Sequence, residues 1–162
     1  MKLTIIIPIF NEEKFLQTLL ELVLKQKLNI TKEIIAVDDC STDNSKEILK
    51  KFKDKIEHII YHTKNAGKGA AIQSALHVST GDIVLIQDAD LEYDPNDYQK
   101  LIKPILDGVT KVVYGSRVLN KKRYSNNSFT SLFRVFANHV LTIFSNILNN
   151  QKLTDAHTCY KV

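Results

Sequence analysis

The feature that most limits what this chain can fold into is an alternation of two patterns. Short, largely β-branched apolar runs at 3–9, 33–37, 56–61 and 83–86 are separated by segments with helical spacing. Between the first two runs, Phe15, Leu16, Leu19, Leu20, Val23 and Leu24 recur on one face, which predicts an amphipathic helix over 12–27. A strand covered on both faces reads as continuously apolar, and a chain that returns through a helix each time lays its strands parallel. Ser41-Thr42-Asp43 supplies a helix start ahead of 45–52, with Thr42 or Asp43 as N-cap. Gly67-Lys68-Gly69 opens a helix through 70–78, Thr80-Gly81-Asp82 turns into the fourth run, and Asp94-Pro95-Asn96 begins a helix over 97–106. Residues 109–114 are expected to add a fifth strand. The pattern predicts an α/β fold: a mostly parallel sheet flanked by helices, with right-handed crossovers.

The run 83–86 ends in Gln87-Asp88-Ala89-Asp90-Leu91-Glu92, which puts two carboxylates at the carboxyl edge of the sheet. Open α/β sheets bind their ligands at that edge. Two neighbouring carboxylates repel unless a cation sits between them, and hard oxygen ligands of this kind suit Mg²⁺ or Mn²⁺. Such a metal has a natural partner in a diphosphate. Asp38-Asp39 closes the second run in the same way. One of these acids can accept from the N–H edge of a nucleobase while the other serves ribose or structure, and helix capping suits Asp38 and Asp43. Lys68, between two glycines, offers a cation and exposed backbone N–H groups to an anion, or is an ordinary solvated lysine. It belongs to no Walker P-loop, because Gly-x-x-x-x-Gly-Lys-Ser/Thr is absent.

At 162 residues and 44% hydrophobic content, the chain is expected to form one domain with a substantial core. It stops at Cys159-Tyr160-Lys161-Val162, which reads as the start of a further strand, so truncation is expected. A net charge of +4 and a pI near 9.0 favour anionic partners without choosing among them. Cys40 and Cys159 show no CxxC or metal-type spacing, and a reduced cytoplasmic setting is expected. Met1-Lys2-Leu3-Thr4 runs straight into the first strand, leaving no room for a signal peptide. No apolar run reaches the roughly 18 residues of a membrane span, so a soluble protein, or one peripheral at the cytoplasmic membrane face, is expected. His58, His62, His77, His139 and His157 lack metal-ligand spacing.

The last third changes character. Residues 120–127 are polar and basic, and read as a mobile loop. Residues 128–148 then carry Phe129, Leu132, Phe133, Phe136, Val140, Leu141, Ile143, Phe144, Ile147 and Leu148, which predicts one or two amphipathic helices with a broad apolar face. That face either packs on the sheet or lies near a lipid surface with the basic loop beside it.

Five motifs occur in a fixed order: Ile5-Ile6-Ile7-Pro8-Ile9-Phe10-Asn11-Glu12-Glu13, Val37-Asp38-Asp39-Cys40-Ser41-Thr42-Asp43, Asn65-Ala66-Gly67-Lys68-Gly69, Gln87-Asp88-Ala89-Asp90-Leu91-Glu92 and Gly115-Ser116-Arg117. Together they strongly resemble the family 2 glycosyltransferases of GT-A fold, and within them the dolichol-phosphate mannosyltransferase branch with its bacterial polyprenyl-phosphate relatives. The resemblance implies a single GT-A domain over 1–162, with 1–118 binding the nucleotide-sugar and 119–162 on the acceptor side. It implies that Asp39 reads the base, that Pro8 and Phe10 line the base pocket, and that Glu12 lies near the ribose or metal. Asp88, Ala89 and Asp90 would meet the donor, Asp90 binding the metal directly and Asp88 standing close to the ribose and metal shell. Glu92 stands where relatives of that branch often carry Gln, and adds a third carboxylate that either strengthens the metal set or makes a salt bridge. Arg117 and Arg134 would face phosphates of the donor and the lipid acceptor, Arg134 being equally readable as a solvent-facing residue. Arginine suits that role through its fork of donors. Asp88, Asp90 and Arg117 form the implied catalytic set.

The implied activity is inverting transfer of a sugar from GDP-mannose or a UDP-sugar to a polyprenyl or dolichyl phosphate. A hydroxyl acceptor needs a general base, whereas a lipid phosphate is already anionic. Downstream of Arg117 there is no Glu-Asp pair of the kind hydroxyl-using relatives place there. Only Asp155 in Leu153-Thr154-Asp155-Ala156-His157-Thr158 stands in that region, with His157 beside it as another possible base. That favours the phosphate acceptor. The alternatives are a UDP-sugar transferase with a hydroxyl acceptor in cell-surface polysaccharide synthesis, and a nucleotide-binding fragment without turnover. A receiver-type signalling domain fits poorly, because its acid pair closes the first strand and Lys103-Pro104 falls inside a helical segment. Nucleic-acid binding is disfavoured, since the basic residues are scattered without aromatic interleaving.

Overall fold

The computed structural model describes residues 1–116, 129–150, 152–156, 158 and 160–162, with side chains described outside 129–136. In chain order the elements are β1 (Lys2–Ile9), α1 (Leu16–Lys25), β2 (Thr31–Asp38), α2 (Ser45–Lys50), β3 (His58–Tyr61), α3 (Lys68–Leu76), β4 (Ile83–Ile86), a 3₁₀ turn (Pro95–Asp97), α4 (Tyr98–Leu106) and α5 (Phe129–Asn149). The four strands are parallel in the order β3-β2-β1-β4, with Ile5 opposite Ile34 on one side and Leu85 on the other. The chain moves outward from β1 to β2 and β3, then returns to the far side of β1. That reversal makes the carboxyl ends of β1 and β4 the topological switch point, where such sheets open a crevice.

Side-chain alternation along β1 divides the core. Leu3, Ile5, Ile7 and Ile9 face Leu16, Leu19, Leu20 and Val23 of α1, while Ile6 joins Ile35 and Val37 against Ala71 and Ala75 of α3. Each fully buried isoleucine contributes roughly 1.5–3 kcal/mol. The two alanines, four residues apart on α3, present the small face on which that helix meets the sheet. Helix α1 ends where Lys32 reaches over from β2, its Nζ donating to the carbonyls of Val23, Leu24 and Gln26 at 2.7, 2.8 and 2.7 Å. Those are carbonyls the helix end would leave unpaired.

At the amino edge of the sheet, Glu33 is buried and fully bonded. It accepts from Lys2 Nζ, Thr4 Oγ1, Thr80 N–H (2.7 Å), Thr80 Oγ1 (2.6 Å) and Gly81 N–H (3.1 Å). Burial pushes its carboxyl up, but the bonds from Lys2, Thr4 and Thr80 outweigh burial and lower the pKa to about 2.

The structure differs from the sequence expectations at several elements. Residues 12–15 form a turn rather than the first helical residues, with the N–H groups of Phe15 and Leu16 both donating to the Glu12 carbonyl at 3.1 and 3.0 Å. The N-cap position of α2 is Asn44, although Asp43 Oδ1 accepts from Ser45 N–H at 3.0 Å. Residues 109–114 do not form the expected fifth strand of the parallel sheet. Val109 and Val112 are 77% and 57% exposed, and Val113 and Gly115 pair antiparallel with 160–162 instead. Val113 N–H donates to Val162 O at 2.8 Å, Val162 N–H returns at 2.9 Å, and Gly115 N–H donates to Tyr160 O at 3.0 Å. Ile86 N–H donates to Lys161 O at 3.2 Å, so 160–162 lie beside β4. A Cβ on Gly115 would sit 2.8 Å from Tyr160 Cβ, and that closeness of approach requires glycine.

The amphipathic helix expected near the C-terminus is α5. Its Thr142 is buried, donating to Asn138 O at 2.8 Å and accepting from Ala156 N–H at 3.2 Å, while Asn146 exchanges two bonds of 2.9 Å with the Leu153 backbone. The segment after the helix is thereby folded back along it. Val140, Leu141, Ile143, Phe144, Ile147 and Leu148 remain exposed. Among the described residues no helix is long and apolar enough to cross a membrane. The basic loop 120–127 lies outside the described residues.

Candidate functional site

The site sits at the carboxyl edge, and the backbone there is strained. Asn11, Cys40 and Leu91 follow β1, β2 and β4, and adopt φ of 56°, 64° and 60°. Non-glycine residues hold such angles only where their surroundings over-determine them. Here the polar residues of two motifs do so. Asn11 Oδ1 accepts from the N–H and Oγ1 of Thr42 at 2.8 and 3.2 Å, and Asn11 N–H donates to Ser41 Oγ at 3.0 Å. Glu12 N–H donates to Ser45 Oγ at 3.0 Å and Glu13 N–H to Asp43 Oδ2 at 2.9 Å. Glu13 Oε2 returns the link by accepting from the N–H and Nδ2 of Asn44 at 3.0 and 2.8 Å. Asn-Glu-Glu and Ser-Thr-Asp are two halves of one lock between the β1–α1 and β2–α2 loops.

Inside this rim lies a cavity of about 190 Å³ lined by Pro8, Ile9, Phe10, Glu12, Asp39, Lys68, Ala71, Asp88, Ala89 and Asp90. All eight residues that the sequence assigns to the donor therefore border one cavity. Asp38 and Asp39 part ways there. Asp38 points inward, accepting from Ser41 N–H at 3.2 Å with Lys46 Nζ at 3.8 Å, and its Oδ1 has no hydrogen-bond partner among the described residues. Asp39 faces the cavity. Its Oδ1 accepts from His62 Nδ1 at 2.7 Å and Ala66 N–H at 3.0 Å, and its Oδ2 from Gly67 N–H at 2.7 Å, with Ala66 N–H also 3.2 Å away. Burial pushes the Asp39 carboxyl up, yet the bonds from Ala66, His62 and Gly67 hold it below the ordinary range. It is a carboxylate at neutral pH. The two amides reach it because Gly67, at φ 86°, turns the chain into α3.

The opposite wall is acidic. Glu12 is pushed up by burial and then by the negative charge of Asp90, Asp43 and Asp88. Lys68 Nζ pairs with Asp88 Oδ1 at 2.5 Å and offsets part of that charge. Asp90 Oδ1 accepts from Glu92 N–H at 3.0 Å, closing a turn after the strand, and Glu92 is exposed and does not line the cavity. Among the described residues no three acids, histidines or cysteines stand at ready-made metal-binding distance. The donor set nevertheless fits a divalent cation: Glu12, Asp88 and Asp90 supply hard oxygen ligands whose mutual repulsion a cation relieves.

Two contributors were missed by sequence reasoning. His62, the first residue past β3, joins Asp39 to Ser74 of α3, its Nε2 lying 2.9 Å from Ser74 Oγ. Gln87 is fully buried beneath the Asp88–Asp90 turn. Its Nε2 donates to the carbonyls of Asp88 (2.8 Å) and Tyr93 (3.4 Å), and its Oε1 accepts from the hydroxyls of Tyr98 (2.7 Å) and Tyr160 (2.9 Å). The available signals were a polar residue closing an apolar run and a histidine at a strand's carboxyl end. Arg117 lies outside the described residues, as do His157 and Cys159; Arg134 falls on α5 with its side chain outside them. Asp155 is buried.

A parallel sheet with an acid-lined crevice of about 190 Å³ at its switch point is an α/β architecture of GT-A type. Residues 4–162 match Glycosyl transferase family 2, and the chain belongs to that family. It is 35% identical over 145 residues to the undecaprenyl-phosphate 4-deoxy-4-formamido-L-arabinose transferase of Photorhabdus laumondii, a match covering 86% of this chain and 42% of the relative. It is 31% identical over 130 residues to the dolichol-phosphate mannosyltransferase of Pyrococcus furiosus, covering 80% and 37%. Among solved structures it resembles S. aureus TarS 1-349 in complex with UDP-GlcNAc, with 29% identity and a TM-score of 0.59 over 69% of this chain and 33% of that one. The fold is shared with glucosyl-3-phosphoglycerate synthase from Mycobacterium tuberculosis, at 22% identity and a TM-score of 0.55 over 65% of this chain and 39% of that one. The chain spans less than half the length of each of these relatives.

Proposed function

We propose that this chain is the donor-binding and acceptor-facing part of an inverting glycosyltransferase that moves a sugar from a nucleotide-sugar to a polyprenyl phosphate. One observation carries the reading: Asp39, Lys68 and the Glu12/Asp88/Asp90 carboxylates border a single crevice at the switch point. The names of the relatives, transferases for undecaprenyl phosphate and dolichol phosphate, support the acceptor class. In this reading residues 1–118 hold the donor and 119–162 serve the acceptor side. Asp39 meets the base, Pro8 and Phe10 border its ring, and Glu12 and Asp88 face the ribose. Asp90 would hold Mg²⁺ or Mn²⁺ with Asp88 and Glu12 beside it, Glu92 standing exposed outside the cavity. A cation held there would supply positive charge to offset the charge growing on the departing diphosphate. Lys68 leaves Asp88 for a donor phosphate, and Arg117 and Arg134 grip phosphates of donor and lipid. The lipid phosphate attacks already ionised, so no residue has to remove a proton. The exposed apolar face of α5 lies against the lipid surface on the cytoplasmic side, where the acceptor resides.

Titration calorimetry with nucleoside diphosphates, with and without Mn²⁺, tests the donor site. Mn²⁺-dependent binding that falls at least tenfold in Asp90→Asn is expected, since a metal-bound carboxylate is replaced by a neutral amide. Equal binding by both proteins would remove Asp90 from the metal site. Transfer of labelled sugar to undecaprenyl phosphate tests the acceptor.

A further inference from the structure

We infer that Lys68 is the resident counter-ion of the acid wall, competing with a divalent cation for Asp88 until a nucleoside diphosphate draws the lysine away. This rests on reading the crevice as a donor site that takes a cation and a diphosphate together. Glu12, Asp88 and Asp90 border one cavity, and among the described residues Lys68 is the one basic side chain that borders it with them. Its Nζ lies 2.5 Å from Asp88 Oδ1, and the Asp88 side chain is only 14% exposed, so the pair is partly shielded from solvent.

The two partners are held very differently. Asp88 is anchored: it follows β4 closely, and its carbonyl accepts from Nε2 of the buried Gln87 at 2.8 Å. Lys68 is fixed at its backbone, as the first residue of α3, but its side chain is 47% exposed. It stands between Gly67 and Gly69, where an added Cβ would meet nothing within 4 Å, so the chain on either side of it is uncrowded. A flexible stem with a rotatable ammonium head can change partners without moving the helix. An anion arriving at this point meets that ammonium together with the amino end of a nine-residue helix.

One lysine offsets only part of the wall's charge, since Asp90 and Asp88 still act on Glu12. While Lys68 stays on Asp88, a divalent ion entering the wall meets a carboxylate already paired and a like charge beside it. Repulsion of that kind, in the dielectric near a protein surface, weakens binding of the ion by about fivefold or more. A diphosphate reverses the balance. Lys68 exchanges one anion for another, Asp88 is released, and the lysine's charge turns from opposing the cation to sharing the phosphates with it. Linkage is reciprocal, so cation and nucleotide strengthen each other's binding by the same factor. Lys68 thereby ties occupation of the acid wall to the presence of donor.

The test is Mn²⁺ binding to the 162-residue chain, followed by electron paramagnetic resonance of the free ion, alone and with saturating UDP or GDP. It is repeated on Lys68→Met, Lys68→Arg and Asp90→Asn, with circular dichroism confirming that each is folded. Replacing a half-exposed lysine leaves the core intact. The wild-type chain is expected to bind Mn²⁺ about tenfold tighter with nucleotide than without. Lys68→Met removes the competing charge, so Mn²⁺ alone binds about fivefold tighter and the gain from nucleotide shrinks. Lys68→Arg keeps the charge and stays within about twofold of wild type in both conditions. Unchanged or weaker binding of Mn²⁺ alone in Lys68→Met, with nucleotide binding reduced, overturns the exchange and leaves Lys68 as a phosphate ligand only. Equal Mn²⁺ affinity with and without nucleotide in the wild type overturns the coupling. Mn²⁺ binding untouched by Asp90→Asn puts the cation elsewhere and defeats the reading of the crevice itself.

Discussion

At the scale of single residues, what the sequence made legible was charge at strand ends. Asp39, Asp88, Asp90 and Lys68 each stand in the first residues after a strand or at a helix start, and chain order alone brought them to one edge. His62 and Gln87 were not legible, because their roles come from partners 23 residues away (Asp39) and 73 residues away (Tyr160). Glu33 belongs to the same class. In the sequence it opens a strand; in the fold it is the buried hub of the amino edge. Its folded pKa of about 2 lies below the ordinary 4.5, so the folded state binds fewer protons than the unfolded one. Its contribution, on the order of 3 kcal/mol, is present above pH 4.5 and is lost as the pH falls from there toward 2. Urea denaturation across that window is expected to show a stability slope that Glu33→Gln flattens while lowering stability at neutral pH. An unaltered slope in the variant would assign the acid sensitivity to other groups.

At the scale of elements, the parallel strands and their helices were readable because hydrophobic period and turn residues are local properties. Residues 109–114 were not, because apolar, β-branched composition says that a segment can pair and not with what. The partner that docks beside β4 is 160–162, and it arrives antiparallel. That pairing also sets Tyr160 over Gln87, with its ring 4.7 Å from Tyr93 and 6.1 Å from Tyr98 between centroids. The sheet extension and the support of the Asp88–Asp90 turn are therefore one structure. Gly115→Val places a side chain where Tyr160 Cβ stands at 2.8 Å, and is expected to cost about 1–3 kcal/mol through overpacking. Tyr160→Phe keeps the ring and removes one hydroxyl bond, a loss of about 1 kcal/mol. Chemical denaturation gives both values. Metal affinity reports whether the damage reaches the turn, and a larger loss of Mn²⁺ binding in Gly115→Val than in Tyr160→Phe is expected.

At the scale of the whole molecule, the unexplained surface is α5. Its folded-back tail satisfies Thr142 and Asn146, yet Val140, Ile143, Phe144 and Ile147 are 48%, 50%, 60% and 73% exposed. A helix with one polar, bonded side and one bare apolar side suits a boundary between water and hydrocarbon. None of these residues lines the cavity at the carboxyl edge, so the two properties are separable. Exchanging Phe144 and Ile147 together for Ser removes apolar surface worth about 2 kcal/mol on transfer to lipid, or roughly thirtyfold in partitioning. Co-sedimentation with vesicles of phosphatidylglycerol and undecaprenyl phosphate is expected to show wild-type binding and that loss in the double variant, with Mn²⁺-dependent nucleotide binding unchanged. Raised salt weakens only the part owed to the chain's net charge of +4, so the apolar share is what survives at high ionic strength. Wild-type protein that stays in the supernatant at every salt concentration would instead mean that this face is covered by protein, and that the acceptor lipid reaches the site by another route.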